Sequence, residues 1–334
     1  MINKTRTSSA KRITSKLLTA FLTETYGISP AQPIKLLEGG TESAAWLVKS
    51  ELGSFVIKIF DANVPLSEVN EEARLYEYLL SGGIHVPKVR RTSQNSSCAS
   101  LQLEELSFPT LVMEFEQQRM CTPSQVTKSE LFKIGSETAK LHKVIRKYPY
   151  LTKKKINGTK SQSAFKAFTQ CINSNSFTKK QLSTFSLTDA NLVKIANSQD
   201  VELPLTETFL HADLALEHAR ILSNGEIYFF DFADRKWGSV SEELATFISM
   251  LYQWEDISFD KWRELKTVFL DGYQSVTTLT ANDYEAVPAY IAVRILRSTR
   301  YLSILTKDEP STHVVNWIRR GYELGKLLTS MGKN

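Results

Sequence analysis

Residues 209–232 read FLHADLALEHARILSNGEIYFFDF, and the rest of the chain is best read outward from them. The stretch is rich in aromatic and β-branched residues, and Asn224-Gly225 lies between the apolar runs Ala219–Leu222 and Ile227–Phe232. Asn-Gly supplies the positive φ angles of a two-residue hairpin turn, so the spacing predicts a β-hairpin. That hairpin puts Asp213 in the loop before one strand and Asp231 at the end of its partner. Asp231 is flanked by Phe229, Phe230 and Phe232. A carboxylate in such apolar company needs compensation, so it is unlike an ordinary surface aspartate. His211 stands two residues before Asp213, and His218 five after.

Upstream, residues 34–37, 44–48 and 54–60 read as short strands separated by turns at Gly39-Gly40 and at Glu51-Leu52-Gly53. Leu66, Val69, Ala73, Tyr76 and Leu80 recur at helical spacing over 66–80, and Gly82-Gly83 stops that helix. Pro87–Arg91, Ala99–Leu103 and Leu111–Phe115 suit further strands. Beyond Gln117 the period turns helical, over 128–147, 241–254, 260–273, 281–305 and 312–330. In strand 54–60, alternation places Val56, Lys58 and Phe60 on one face and Phe55, Ile57 and Ile59 on the other. A lysine in so apolar a strand needs a partner. The following helix offers Glu68, Glu71 and Glu72.

The chain has 334 residues, enough for one two-lobed unit, with 42% apolar and 23% charged residues, as in globular proteins. No apolar run reaches the ~18 residues of a membrane span. The basic N-terminus is followed only by the short apolar run Leu17–Leu22, which reads as the start of an amphipathic helix rather than as a leader. Cys98, Cys121 and Cys171 lack metal-ligand spacing, and a reducing, cytoplasmic setting is expected. The net charge of +5 is unevenly spread. Between Thr138 and Thr188 there is no acid but many lysines, Lys153, Lys154 and Lys155 among them, whereas acids predominate from Asp200 to Tyr290. Beyond Tyr148, Tyr150, Phe165 and Phe168 the lysine stretch lacks the interleaved aromatics of a nucleic-acid site, so nucleic acid is not the expected partner.

Two carboxylates placed like Asp213 and Asp231 suit phosphoryl transfer: one orients the attacking hydroxyl and accepts its proton, and the other holds a bridging metal. At this point the sequence resembles the aminoglycoside phosphotransferase-like family. The family's His-x-Asp loop is met by His211-Ala212-Asp213, its downstream metal-binding Asp by Asp231, and its Gly-Asp-Pro-x-x-Asp-Leu-Ala segment by Gly238-Ser239-Val240-Ser241-Glu242-Glu243-Leu244-Ala245. Earlier landmarks follow in order over roughly residues 34–250. Leu37-Glu38-Gly39-Gly40-Thr41-Glu42-Ser43 is similar to the glycine turn over the phosphates, Val56-Ile57-Lys58 to the strand lysine, and Met113-Glu114-Phe115 to the segment whose backbone meets adenine.

The resemblance implies an α+β, protein-kinase-like two-lobed fold, with a small, mainly antiparallel-sheet N-lobe (1–116) and a larger helical C-lobe (117–334). It further implies ATP bound between the lobes, Mg²⁺, and transfer of the γ-phosphoryl group to a small-molecule hydroxyl. Asp213 is then the base and Asp231 the main metal ligand. His218 replaces the family's asparagine as a second ligand, although Mg²⁺ prefers oxygen. Gly39, Gly40, Ser43, Val56, Lys58, Glu72, Met113, Glu114 and Phe115 would serve the nucleotide. Ala212 stands where a glycine is common. For the acceptor, Glu255, Asp256 and Asp260, around Trp254 and Trp262, suit a cationic amine. A Ser/Thr protein kinase of the same family and a pseudokinase binding module remain as alternatives. No Ala-Pro-Glu signature follows Asp231.

Overall fold

The computed structural model describes residues 13–37, 43–149, 161–171, 177–198, 204–305 and 311–331. The chain forms two compact units. The first comprises Met1–Arg119, Tyr148–Tyr150 and Leu222–Phe230, and the second comprises Met120–Lys147, Leu151–Ile221 and Asp231–Asn334.

The first unit begins with α1 (Ser15–Tyr26), which is capped by the Thr14 hydroxyl at its start and by Gly27 (φ 66°) at its end. Strands β1 (Lys35–Leu36), β2 (Ser43–Ser50) and β3 (Gly53–Phe60) follow, then helix α2 (Leu66–Ser81) and strands β4 (Ala99–Leu103), β5 (Leu106–Glu114) and β6 (Gln118–Arg119). The sheet runs β1-β2-β3-β5-β4 with antiparallel pairings throughout. Alternation along β3 sends Phe55, Ile57 and Ile59 into a core shared with Leu18 and Leu22 of α1. The other face carries Lys58, whose ammonium lies 4.9 Å from the Phe60 ring.

The expected strand 87–91 is reduced to a single bridge, Val89 to Met113. Pro87 has no N–H to donate, and the segment keeps only the bonds from Arg90 N–H to Val112 and from Glu114 N–H to the Lys88 carbonyl.

The second unit is helical around a short ribbon: α3 (Lys128–Ile145), α4 (Phe165–Cys171), α5 (Lys179–Asn197), β7 (Glu207–Leu210), β8 (Ala219–Leu222, its last residue counted in the first unit), then, after β9 (Ile227–Phe229) of the first unit, β10 (Lys236–Ser239), α6 (Val240–Gln253), α7 (Phe259–Gln274), α8 (Ala281–Leu305) and α9 (Thr312–Met331). The hairpin forms around Asn224-Gly225, but only Gly225 takes positive φ (78°), and Leu222 N–H bonds to the Glu226 carbonyl, which closes a three-residue rather than a two-residue loop. Glycine is required where α3 meets α7. A Cβ on Gly135 would sit 2.1 Å from the Phe269 carbonyl oxygen, and one on Gly272 2.0 Å from that of Phe132.

Helices α4 and α5 have no counterpart in the sequence reading. The start of α5 carries a capping box, Thr178 with Gln181, but its lysines and serines mask the buried stripe of Phe185, Thr188, Leu192 and Ala196. Strand β10 was likewise not expected. It pairs antiparallel with β7, placing Trp237 opposite Phe209.

Candidate active site

In the second unit, β7 delivers the chain to His211-Ala212-Asp213, and that loop is held from below. Glu243, fully buried on α6, accepts hydrogen bonds from the backbone N–H groups of His211 and Ala212. Burial alone would push its carboxyl up. The contact with His142, the charge of His211 and the Ala212 N–H outweigh burial and hold it below the ordinary carboxylate range. His142 is a core residue: Nδ1 is 2.9 Å from the Tyr273 hydroxyl and Nε2 3.7 Å from Glu243. Sequence reading included Glu243 in a family segment but gave it no task.

Two residues of the site adopt the left-handed conformation without being glycine: Ala212 (φ 69°) and Asp231 (φ 66°). For an alanine this is strained, and it explains why glycine suits position 212. Ala212→Gly is therefore expected to raise stability by up to about 1 kcal/mol, the relief of αL strain less the extra freedom of glycine in the unfolded chain. A rightward shift of the urea midpoint at unchanged slope would show it; a leftward shift would refute it.

Asp213 is half-exposed, and Arg294 of α8 donates from Nη2 to its Oδ1 at 2.8 Å. His218 places Nδ1 2.6 Å from the Asp213 carbonyl and 3.8 Å from Oδ2, so one ring nitrogen braces the loop. Its ring stacks on that of His211 at 5.5 Å. Two acids that sequence reading passed over complete the group. The Glu217 carboxyl is pushed up by burial, pulled down by His218 and raised again by Asp213. That of Asp234 is pushed up by burial of its carboxyl and then by both Asp213 and Asp231, so these three acids share one electrostatic neighbourhood. Among the described residues, no three His, Cys, Asp or Glu side chains form a ready metal cage.

In the first unit, Lys58 and Glu72 form an ion pair at 3.0 Å, with side chains only 11% and 3% exposed, and the Tyr76 hydroxyl donates to the same Glu72 oxygen. Val56 faces Met113 across β3 and β5. The N–H groups of Glu114 and Phe115 are taken by the carbonyls of Lys88 and Ser54, so any adenine contact there falls to other backbone atoms. The Glu114 carboxylate is held by Lys88 at 3.0 Å. Ser43 opens β2, while Gly39 and Gly40 lie outside the described residues, as do Lys153, Lys154 and Lys155.

The three acids expected to hold an acceptor are not gathered in one place. Glu255 and Asp256 line a cavity of about 160 Å³ together with Trp254, His313 and Trp317, and Asp260 is not among its walls. Each acid is already engaged. Glu255 accepts from Ser124 N–H (2.8 Å) and hydroxyl (2.7 Å), Asp256 pairs with Arg320, and Asp260 pairs with Arg263 at 2.5 Å. Trp262 is 1% exposed and donates to the Ile248 carbonyl, so its ring is core rather than platform. Trp254 also borders a small pocket against Ala215, Leu216 and Glu217, just beyond Asp213.

A five-stranded antiparallel sheet with one paired lysine, followed by a helical unit bearing His-x-Asp and a later Asp, is a protein-kinase-like fold. The amicoumacin kinase hAmiN in complex with AMP-PNP, Ca²⁺ and Ami is similar over 96% of this chain and 95% of its own, with TM-score 0.70 and 17% identity. Spectinomycin phosphotransferase APH(9)-Ia, in complex with ADP and its antibiotic, is similar over 95% and 98%, with TM-score 0.69 and 18% identity. A microcompartment-associated aminopropanol kinase is similar over 95% and 98%, with TM-score 0.67 and 17% identity. None of the curated protein sequences matches the chain. Residues 33–276 match the phosphotransferase enzyme family, and the chain belongs to that family. It is thus a kinase that transfers a phosphoryl group to a hydroxyl. Among the described residues, no helix is long and apolar enough to cross a membrane.

Proposed function

We propose that the chain transfers the γ-phosphoryl group of ATP, with Mg²⁺, to a hydroxyl of a small molecule. The observation that carries this reading is the buried Lys58–Glu72 pair. A buried ion pair gives little net stability over an apolar pair of similar size, so its retention calls for a use beyond folding. Lys58, held by Glu72, would contact the α- and β-phosphates. Val56, Met113, Glu114 and Phe115 would line the adenine, with Gly39, Gly40 and Ser43 over the phosphates. Asp213 would orient the acceptor hydroxyl and take its proton.

The donors suit Mg²⁺, which asks for hard oxygens and keeps several waters and phosphate oxygens rather than an all-protein cage. Asp231 supplies such an oxygen, and His218 is a second, softer candidate with one nitrogen already committed to the Asp213 carbonyl. When bound, the ion would neutralise charge developing on the transferred phosphoryl group. The acceptor would lie beside Trp254, which borders both the small pocket against Ala215, Leu216 and Glu217 and the separate cavity of Glu255 and Asp256.

The test is ADP release from purified protein, ATP and Mg²⁺ over a panel of amino alcohols, sugars and antibiotics. One acceptor is expected to stimulate release well above hydrolysis. Asp231→Ala is expected to raise the Mg²⁺-dependent Kd for ATP by about tenfold or more, the effect of losing one charged ligand. A protein that binds ATP equally well with and without Mg²⁺, and equally well as Asp231→Ala, would overturn the assignment.

A further inference from the structure

Arg294 belongs to no motif legible in the chain, yet the charge of the site converges on it. Its Nη2 lies 2.8 Å from Asp213 Oδ1 and 3.7 Å from Met250 Sδ of α6, which fixes the guanidinium from two sides. The groups that face it are acidic. Glu217 and Asp234 are each raised by burial and by the charge of Asp213, and Arg294 pulls both back down. The imidazole of His218 gives its Nδ1 to the Asp213 backbone and stays 3.8 Å from Oδ2. The neighbouring Arg297 points elsewhere, 3.5 Å from Glu242, with its side chain 53% exposed. A carboxylate among other acids would turn and tilt away from them. One N–H on Oδ1 stops that rotation and leaves Oδ2 uncommitted to Arg294.

We propose that Arg294 is a positioning residue for phosphoryl transfer, holding Asp213 Oδ1 so that Oδ2 is presented to the acceptor hydroxyl. The proposal rests on the reading of Asp213 as the base. In that step the acceptor oxygen forms a bond to the γ-phosphorus, its proton passes to Asp213 Oδ2, and the bond from phosphorus to the β–γ bridging oxygen breaks with its electrons leaving on ADP. Arg294 touches none of the reacting atoms. Its contribution is orientation, where a misplacement of about 1 Å costs about 10²-fold in rate. The pair is partly solvated, its side chains 26% and 30% exposed, so its contribution to folding is small.

A double-mutant cycle decides the matter, with kcat, KM for ATP and the urea midpoint measured for each protein. Arg294→Met is expected to lower kcat by about 10²-fold, with KM for ATP and the midpoint close to the parent. Arg294→Lys should recover part of the rate, since it keeps the charge and one donor but not the planar fork. In an Asp213→Asn background Arg294→Met should cost less than about threefold more, because two residues acting through one atom are not additive. Full additivity there, or Arg294→Met at parental rate, overturns the proposal. So does a rate loss that tracks a lowered midpoint and is not relieved by Arg294→Lys. If Asp213→Asn itself turns over at near the parental rate, the base assignment fails and the proposal with it. Additivity on top of an inactive Asp213→Asn defeats the positioning role alone.

Discussion

Asp213→Asn is expected to lower the rate of phosphoryl transfer by about 10²–10⁴-fold, the usual cost of losing a general base, while nucleotide affinity stays nearly unchanged. Asparagine has almost the size of aspartate, so the loop keeps its two anchors, Glu243 beneath His211 and Ala212 and His218 against the Asp213 carbonyl. What is lost is an oxygen able to take a proton. The charge opposite Arg294 goes too, but an amide oxygen can still accept its N–H, so the geometry of α8 is retained. The rate loss should therefore fall on kcat with the acceptor, not on the KM for ATP. Single-turnover transfer, with nucleotide binding followed by calorimetry on the same preparation, separates the two. A variant retaining most of its turnover would remove Asp213 from the chemistry.

Much of the first unit was legible because its signals are local. Alternation in β3 fixes which residues meet the core, and a lysine on the opposite face must find a carboxylate one helix away. Of the three glutamates that could have answered, α2 turns Glu72 inward, 2% exposed, beside the buried Tyr76. Glu68, one turn earlier on the same side of the helix, and Glu71 are both exposed. The hairpin of residues 219–229 was equally readable, since Asn-Gly admits few alternatives.

The rest was hidden for a physical reason. Arg294 reaches Asp213 across 81 residues of sequence, and no pattern in α8 marks it among the other arginines there. Glu243 looks like one more acid in the first turn of α6, where Glu242 would serve the helix dipole equally well. Only the folded chain separates them: Glu243 takes the N–H groups of His211 and Ala212, while Glu242 pairs with Lys236. Sequence proximity misled in the opposite direction at Glu255, Asp256 and Asp260. Three acids within six positions look like one patch, but a loop and the start of α7 point them at Ser124, Arg320 and Arg263.

Glu243 carries the largest stability effect expected in the site. It is 0% exposed, and its two oxygens receive the N–H groups of His211 and Ala212. Glu243→Gln keeps the volume but replaces one acceptor oxygen by an NH₂ group facing a backbone donor, and it removes the charge that His142 and His211 meet. The expected cost at pH 7 is about 3 kcal/mol, in the range for leaving buried partners of a charged hydrogen-bonded group unsatisfied. The pH dependence follows from the direction of the shift. The carboxyl of Glu243 is held lower in the folded chain than the ~4.3 of an unfolded glutamate. Its contribution to stability is then fully present above that unfolded value and is lost as pH falls through the folded one. Urea unfolding of the parent and of Glu243→Gln should therefore give a gap that is constant from neutral pH down to about 5 and narrows below about pH 4. A gap that widens on acidification would mean the carboxyl is raised rather than lowered. A gap near zero at pH 7 would mean that the His211–Ala212 loop stands without this anchor. The same substitution should lower kcat, because the loop that aims Asp213 hangs from these two bonds. Recovery of the rate in Glu243→Asp without recovery of stability would assign the loss to loop placement rather than to global unfolding.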